Sequence, residues 1–309
     1  MEKGLIIKST GSFYTVKNEQ NEILNCIARG KFRIKGIKST NPFAVGDIVY
    51  YDFDKLNDIG IIKKLEDRKN YIIRKSINLS KQSHIIAANI DIAFLVVTFS
   101  IPETTSMFID RFLVSAEAYH IPVVILFNKM DAYQDSDLDR VAYYKELYES
   151  IGYKCLNISA SSGLNLDKLK SLMSSKTTVF VGHSGVGKSS LVKAINPNID
   201  LKISGISNIH LTGKHTTTFA EMFEWENGSY IADTPGIKAF GLLDFKKEEI
   251  SHYFLEIFEA SHHCKFQNCT HSHEPACFVK QEVERNQISE SRYNNYIMML
   301  EDDDSEKFR

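Results

Sequence analysis

Long apolar runs are missing from this 309-residue sequence. The longest, Ile92 to Phe99 and Ile121 to Phe127, fall far short of the roughly 20 residues that a membrane-spanning helix needs, so no helical anchor and no membrane partner is expected. The apolar patch near the start, Leu5 to Ile7, is too short for a secretory signal core, and the expected location is the cytoplasm. Cysteine is scarce. Cys26 and Cys155 stand alone, and five in all are too few and too unevenly placed for a disulfide framework. Internal repeats and low-complexity tracts are also absent. With 43% apolar and 25% charged residues, the composition excludes disordered and collagen-like chains. At roughly 100 to 200 residues per domain, the length corresponds to two or three domains.

Charge is uneven along the chain although the net value is only −2. Residues 1–81 carry 16 Lys and Arg against 9 Asp and Glu, an excess of +7; the remainder carries 21 against 30, an excess of −9. A basic N-terminal part suggests a polyanionic partner. Short alternating segments predict strands at Leu5–Lys8, Phe13–Val16, Ile23–Ala28, Phe32–Ile37, Ile48–Phe53 and Ile59–Leu65, the pattern of a small antiparallel barrel. Lys31, Arg33 and Lys35 fall on one face of the fourth of these, with Arg29 and Lys38 flanking them, and that face is read as phosphate-binding. A second basic cluster, Lys63, Lys64, Arg68, Lys69, Arg74 and Lys75, is expected to mark the linker out of the barrel.

From Ile90 the rhythm becomes that of βαβ units around a parallel sheet. Strands are expected at Ile92–Phe99, Val123–Phe127, Lys154–Ser159 and Val179–Gly182, and helices at Ser106–His120, Leu138–Ser150, Leu166–Met173 and Ser189–Ile195. Two further strands, Phe219–Trp225 and Ser229–Asp233, flank an Asn227-Gly228 hairpin signal. The tail is expected to hold two helices, Lys246–Ala260 and Val279–Met299, around a Cys/His cluster.

Gly182-His183-Ser184-Gly185-Val186-Gly187-Lys188-Ser189 fits the G-x-x-x-x-G-K-[ST] phosphate loop, and Ser190 continues into the helix. Gly185 and Gly187 permit a loop whose amides converge on phosphate oxygens. Lys188 would reach the β- and γ-phosphates and the Ser189 hydroxyl would ligate Mg²⁺. Asp233-Thr234-Pro235-Gly236 is a D-x-x-G in which Asp233 would hold the Mg²⁺ shell and the Gly236 amide would meet the γ-phosphate. Asn128-Lys129-Met130-Asp131 is the guanine-reading N-K-x-D. The Asp131 carboxylate can accept from guanine N1–H and the exocyclic amine, whereas adenine would leave it unpaired. Ser159-Ala160 ends the next strand, where the Ala160 amide could donate to guanine O6. A guanine nucleotide, GTP or GDP, is therefore expected.

The order of these motifs is permuted. Conventional switch proteins run phosphate loop, switch threonine, D-x-x-G, N-K-x-D and S-A; here N-K-x-D and S-A precede the loop. Between Asn196 and Thr218 lies a long segment ending in Gly213-Lys214-His215-Thr216-Thr217-Thr218, where Thr217 is read as the threonine that binds Mg²⁺ and the γ-phosphate. Ile237 follows Gly236 where Ras-like switches place a water-orienting Gln. Slow unassisted hydrolysis is expected, with His215 the candidate to position water.

Cys264-x4-Cys269-x-His271-x5-Cys277 offers three thiolates and an imidazole, a closed tetrahedral set suited to one structural Zn²⁺. His262, His263 and His273 are alternatives to His271.

Taken in order, these motifs behind a basic barrel resemble the bacterial ribosome small-subunit-dependent GTPase A family over nearly the whole chain. The resemblance implies a multidomain α/β protein: an OB-fold RNA-binding barrel (residues 1–68), a circularly permuted P-loop GTPase domain with a mostly parallel sheet (69–240) and a C-terminal helical zinc-binding domain (241–309). It further implies GTP hydrolysis stimulated by the small ribosomal subunit, with binding to 16S rRNA and a role in late maturation of that subunit. A monomer is expected. An RNA-binding assembly factor that uses nucleotide only as a conformational ligand is the competing reading. Two positions depart from the family pattern: Lys214, where the family varies, and Ala276, where glycine is expected before Cys277.

Overall fold

The computed structural model describes residues 1–28, 42–75, 83–199, 220–226, 228–233 and 247–301. Five strands form the N-terminal barrel: β1 (Glu2–Ser9), β2 (Phe13–Asn18), β3 (Ile23–Ala28), β4 (Ile48–Asp54) and β5 (Ile59–Leu65). Strand β1 pairs antiparallel with both β2 and β4, and β3 runs parallel to β5, which closes the barrel. Period-two burial turns Ile6, Tyr14, Val16, Cys26, Val49, Tyr51 and Ile62 into its core. The expected strand Phe32–Ile37 and the basic residues Arg29, Lys31, Arg33, Lys35 and Lys38 lie outside the described residues.

The stretch expected to be a linker is structured. Strands β6 (Tyr71–Lys75) and β7 (Ser83–Ala88) form an antiparallel pair. Arg68, read from sequence as one of a basic cluster, is buried instead. Its Nε and Nη2 each lie 2.6 Å from Asp47 carboxylate oxygens, and Nη2 also donates to the Pro42 carbonyl at 3.0 Å. A bidentate guanidinium–carboxylate pair compensates the charge of the fully buried Asp47.

The second sheet contains β8 (Ile92–Val97), β9 (Val123–Phe127), β10 (Lys154–Asn157), β11 (Thr177–Val181), β12 (Ala220–Glu226) and β13 (Ser229–Asp233). Its order is β10-β9-β8-β11-β13-β12; all run parallel except β12, which pairs antiparallel with β13. Every residue of β8 is buried, as expected of a central parallel strand covered on both faces. Helices α1 (Ser106–Ala118), α2 (Asp135–Ile151), α3 (Leu166–Met173) and α4 (Lys188–Ile195) connect the strands. The two sheets are one: Lys8 and Ser9 of β1 pair with Glu221 and Ala220 of β12, giving eleven continuous strands. Lys17 Nζ reinforces the splice at 2.6 Å from Glu224 Oε2.

Both expected tail helices are broken. A 3-10 turn over Lys247–Tyr253 precedes α5 (Leu255–Ser261), and α6 (Phe278–Glu284) is separate from α7 (Glu290–Glu301). Phe254 has extended backbone angles and is fully buried, so core packing overrides helical continuity there. The second break contains Asn286 at φ +57°, a left-handed conformation that asparagine tolerates.

One face of α7 holds this tail onto the sheet's helices. Arg292, 1% exposed, donates from Nη1 to Asp110 of α1 at 2.7 Å and from Nε and Nη2 to Glu256 of α5 at 2.7 and 2.9 Å. Asp110 also accepts from Tyr148 of α2 at 2.8 Å and Asn295 of α7 at 2.6 Å. Burial pushes the Asp110 carboxyl up, and the Arg292 charge opposes that push. Replacing Arg292 by Met strands a buried Asp110, and urea denaturation is expected to show a loss of about 3–5 kcal/mol. Adding Asp110→Asn to that variant is expected to recover part of the loss, because the orphaned charge goes with it.

Candidate functional site

The carboxyl ends of β8, β9, β10, β11 and β13 share one edge of the sheet, where ligands of open α/β folds bind. Gly182 to Gly187 connect β11 to α4, and the loop reverses through positive φ at Gly182, Gly185 and Gly187. Gly182 and Gly187 leave no room for a side chain: an added Cβ would stand 2.4 Å from the Val96 carbonyl oxygen at the first and 2.4 Å from the Asn128 amide nitrogen at the second. Val186 is buried and anchors the loop in the core with Leu191 and Val192, while Ser184, Gly185 and Ser190 are exposed. Ser189 lies half-buried on the first turn of α4. Lys188 Nζ donates to the carbonyls of Gly182 and His183 at 2.7 and 2.6 Å, which folds the ammonium over the loop. The His183 ring packs on Phe108 of α1, centroids 3.9 Å apart.

Asn128 ends β9 and is 1% exposed. Its Nδ2 donates to the Val186 carbonyl at 2.8 Å, so the N-K-x-D segment and the phosphate loop, 58 residues apart, are in direct contact. Lys129 occupies the left-handed region at φ +66° and its Nζ donates to the Ile101 carbonyl at 2.5 Å. Asp131 is exposed and accepts from the Ser159 hydroxyl, and that bond holds its carboxyl below the usual carboxylate range. The Ser159 oxygen accepts in turn from the Ser162 amide at 3.1 Å, and Ala160 follows half-buried. Asn128, Lys129, Asp131, Ser159 and Ala160 therefore form one end of the edge, and Gly182 to Ser190 the other.

Asp233 ends β13. Burial, with a smaller contribution from the Glu221 charge, pushes its carboxyl up to about 6. A largely buried carboxylate with no compensating cation among the described residues fits a divalent-ion role, since an ion such as Mg²⁺ would restore the ionised form. Lys214, His215, Thr217, Gly236 and Ile237 lie outside the described residues.

In the tail, the Sγ atoms of Cys264, Cys269 and Cys277 and a ring nitrogen of His271 all lie within 4.8 Å of one another. Cys264 and Cys269 are 3.9 and 3.7 Å from Cys277 Sγ, and His271 Nδ1 is 3.6 and 3.5 Å from Cys264 and Cys277. A tetrahedral ion with Zn–S of about 2.3 Å and Zn–N of about 2.0–2.1 Å has edges of about 3.8 and 3.5–3.6 Å, so these four edges already have the length that coordination requires. Of the alternative histidines, His263 packs on Phe278 and His273 Nδ1 lies 2.9 Å from Ser272 Oγ. Tyr293 and Tyr296 of α7 donate to the His271 and Thr270 carbonyls at 2.7 and 2.6 Å, tying the cage to the helix that carries Arg292. Ala276 sits at φ +55°, where glycine is the unstrained residue.

Sequence reasoning missed the loop after β8. Its position at the carboxyl end of a parallel strand was the available signal, because such connections line the site. Pro102 of this loop sits where a Cβ on Gly185 would be 3.3 Å from its ring.

Fold and site together define a circularly permuted P-loop GTPase with an OB-like barrel in front and a Cys₃His cluster behind. A family model described as RsgA GTPase matches residues 65–243, and one described as the RsgA N-terminal domain matches residues 3–62. The chain belongs to the RsgA GTPase family. It is 54% identical over 303 residues to the small ribosomal subunit biogenesis GTPase RsgA of Flavobacterium psychrophilum, covering 97% of this chain and 93% of that one. It is 53% identical over 307 residues to RsgA 2 of Bacteroides thetaiotaomicron, covering 99% of both. Among solved structures it is similar to YjeQ from Thermotoga maritima, with a TM-score of 0.79, 36% identity and 97% coverage of each chain. It is also similar to YloQ, a circularly permuted GTPase, with a TM-score of 0.75, 34% identity and coverage of 97% and 94%.

The Asp233 geometry has a measurable consequence in the metal-free protein. A carboxyl raised from 3.8 to about 6 destabilises the fold once it ionises, so stability falls as pH rises through that interval. Asp233→Asn is therefore expected to raise the unfolding free energy measured in urea at pH 8 in chelator, by about 1–2 kcal/mol after allowing for partial exposure, and the gain is expected to shrink as pH falls through that interval and to vanish below the ordinary value of 3.8.

Proposed function

We propose that this chain is a Mg²⁺-dependent GTP hydrolase that acts in small ribosomal subunit biogenesis, as the names of its relatives describe for those proteins. The Asn128–Val186 hydrogen bond carries the reading, because it brings the guanine-reading segment and the phosphate loop together as one nucleotide site. Asp131, oriented by Ser159, accepts from the guanine edge, and the Ala160 amide donates to its O6. The amides from Gly182 to Ser190 surround the phosphates, and Lys188 moves from the loop carbonyls to the β- and γ-oxygens. Ser189, Thr217 and Asp233 would hold Mg²⁺, which supplies charge neutralisation on the transferring phosphoryl group. Water attacks the γ-phosphorus and the bond to the β-phosphate oxygen breaks, leaving GDP and phosphate. His215 positions that water and Gly236 contacts the γ-phosphate.

Cys264, Cys269, His271 and Cys277 would hold one structural Zn²⁺, which closes the tail loop and leaves no open position for chemistry. The chain works as a cytoplasmic monomer without membrane attachment; among the described residues no helix is long and apolar enough to cross a membrane. Its division of labour follows residues 1–68 for 16S rRNA, through the basic residues Arg29, Lys31, Arg33, Lys35 and Lys38, 69–240 for nucleotide and 241–309 for zinc.

Multiple-turnover phosphate release, measured with and without purified small subunits, tests the enzyme assignment. Subunits are expected to raise turnover, GDP and not ADP to compete, and Lys188→Ala to lower stimulated turnover by about 100-fold or more. Undiminished release from Lys188→Ala would defeat the reading. Elemental analysis is expected to find one zinc per chain in the parent and almost none in Cys269→Ser, with a lowered thermal midpoint.

A further inference from the structure

The segment between β8 and α1 touches both ends of the nucleotide edge. Its Ile101 carbonyl accepts from Lys129 Nζ, and its Pro102 ring faces Gly185 of the phosphate loop. Lys129 has a left-handed backbone between Asn128 and Asp131, so its long side chain leaves the strand end at an angle set by that backbone. On the described side of the site, the end of this side chain is fixed by a main-chain carbonyl on a loop, and not by the phosphate loop itself.

That loop is braced from behind by side chains of the segment that follows N-K-x-D. The Phe99 amide donates to the Tyr133 hydroxyl at 3.0 Å, and the Phe99 carbonyl accepts from Arg140 Nη1 at 3.0 Å. Arg140 Nη2 pairs with Glu103 and the guanidinium stands 5.1 Å from the Phe99 ring centroid. Phe99 is 2% exposed and stacks on Phe127 and Tyr144, at 5.7 and 4.9 Å. Within the loop, the Thr104 amide donates to the Thr98 carbonyl at 2.7 Å and the Thr98 hydroxyl to the Pro102 carbonyl at 2.5 Å. Both polar groups of Phe99 are thus held by side chains from the segment that follows N-K-x-D, two residues before the carbonyl that holds Lys129.

We propose that Arg140 and Tyr133 are positioning residues for guanine nucleotide binding: they fix the Phe99–Thr104 loop so that the Ile101 carbonyl holds Lys129 extended over the base site. The proposal rests on the nucleotide site described above. A lysine tethered at its tip has already lost rotamer freedom before ligand arrives, so less ordering cost remains at binding. When the brace is cut, the loop and the Lys129 tip become mobile and nucleotide leaves faster.

A double-mutant cycle separates this role from simple loss of structure. Affinity and dissociation of a fluorescent GDP are measured for the full chain, for Arg140→Ala, for Tyr133→Phe, for Lys129→Ala and for each brace variant combined with Lys129→Ala. Arg140→Ala and the conservative Tyr133→Phe are each expected to weaken GDP about 3- to 10-fold through faster dissociation. In the Lys129→Ala background, either change is expected to cost less than about twofold, since the group they position is gone. Equal losses in both backgrounds, or no loss from either brace variant, would overturn the proposal. If the parent binds no GDP, or Lys129→Ala binds as the parent does, the nucleotide-site reading itself is what fails.

Discussion

One buried amide holds the site together. Strands β9 and β11 are separated by β8, so at about 4.8 Å per strand their ends are roughly 10 Å apart. Asn128 crosses the end of β8 and donates to the Val186 carbonyl of the opposite loop. The contact is buried, where a hydrogen bond gains from low dielectric and a lost partner is costly. It also explains Gly187: a Cβ there would strike the Asn128 amide. The segment read as guanine-binding and the loop read as phosphate-binding are thereby fixed at one separation, as the proposed discrimination between nucleotides requires.

Around that contact the chain places supports of three physical kinds. Apolar packing sets the strands, through Phe94, Leu95, Val96 and Val97 on β8. Buried ion pairs set the helices, through Asp110 and Arg292, and the entry to the sheet, through Asp47 and Arg68. A Cys₃His cluster sets the tail, and α7 joins it to the second kind, since Tyr293 and Tyr296 hold the cluster while Arg292 and Asn295 hold α1. The α1 helix carries Phe108 against His183, so the tail and the phosphate loop are two contacts apart.

How much of this was legible follows from what each feature depends on. Phosphate, guanine and soft-metal chemistry restrict residue types at fixed spacing, so Gly182 to Ser189, Asn128 to Asp131 and the Cys/His set stand out in the sequence, and the structure brings the first two into contact and the atoms of the third within 4.8 Å of one another. Strand and helix periodicity located most elements, and Leu166–Met173 and Ser229–Asp233 coincide with the expected bounds. Helix continuity through Phe254 and Asn286 was misread because one break is imposed by burial and the other by a local left-handed turn. Arg68 and Arg292 were illegible as ion-pair partners. Their carboxylates are 21 and 182 residues away, and in sequence a buried arginine looks like a solvated one.

The splice between β1 and β12 alters what a domain boundary means in this chain. A strand at the rim of a sheet presents unpaired amides and carbonyls that can recruit a foreign strand. Lys8 and Ser9 cover part of that rim on β12, and Lys17 places a charge beside the rest. Cutting between barrel and nucleotide domain would bare two complementary ribbons at once, so the modules are separable in the linear code but act as mutual shields against misassembly.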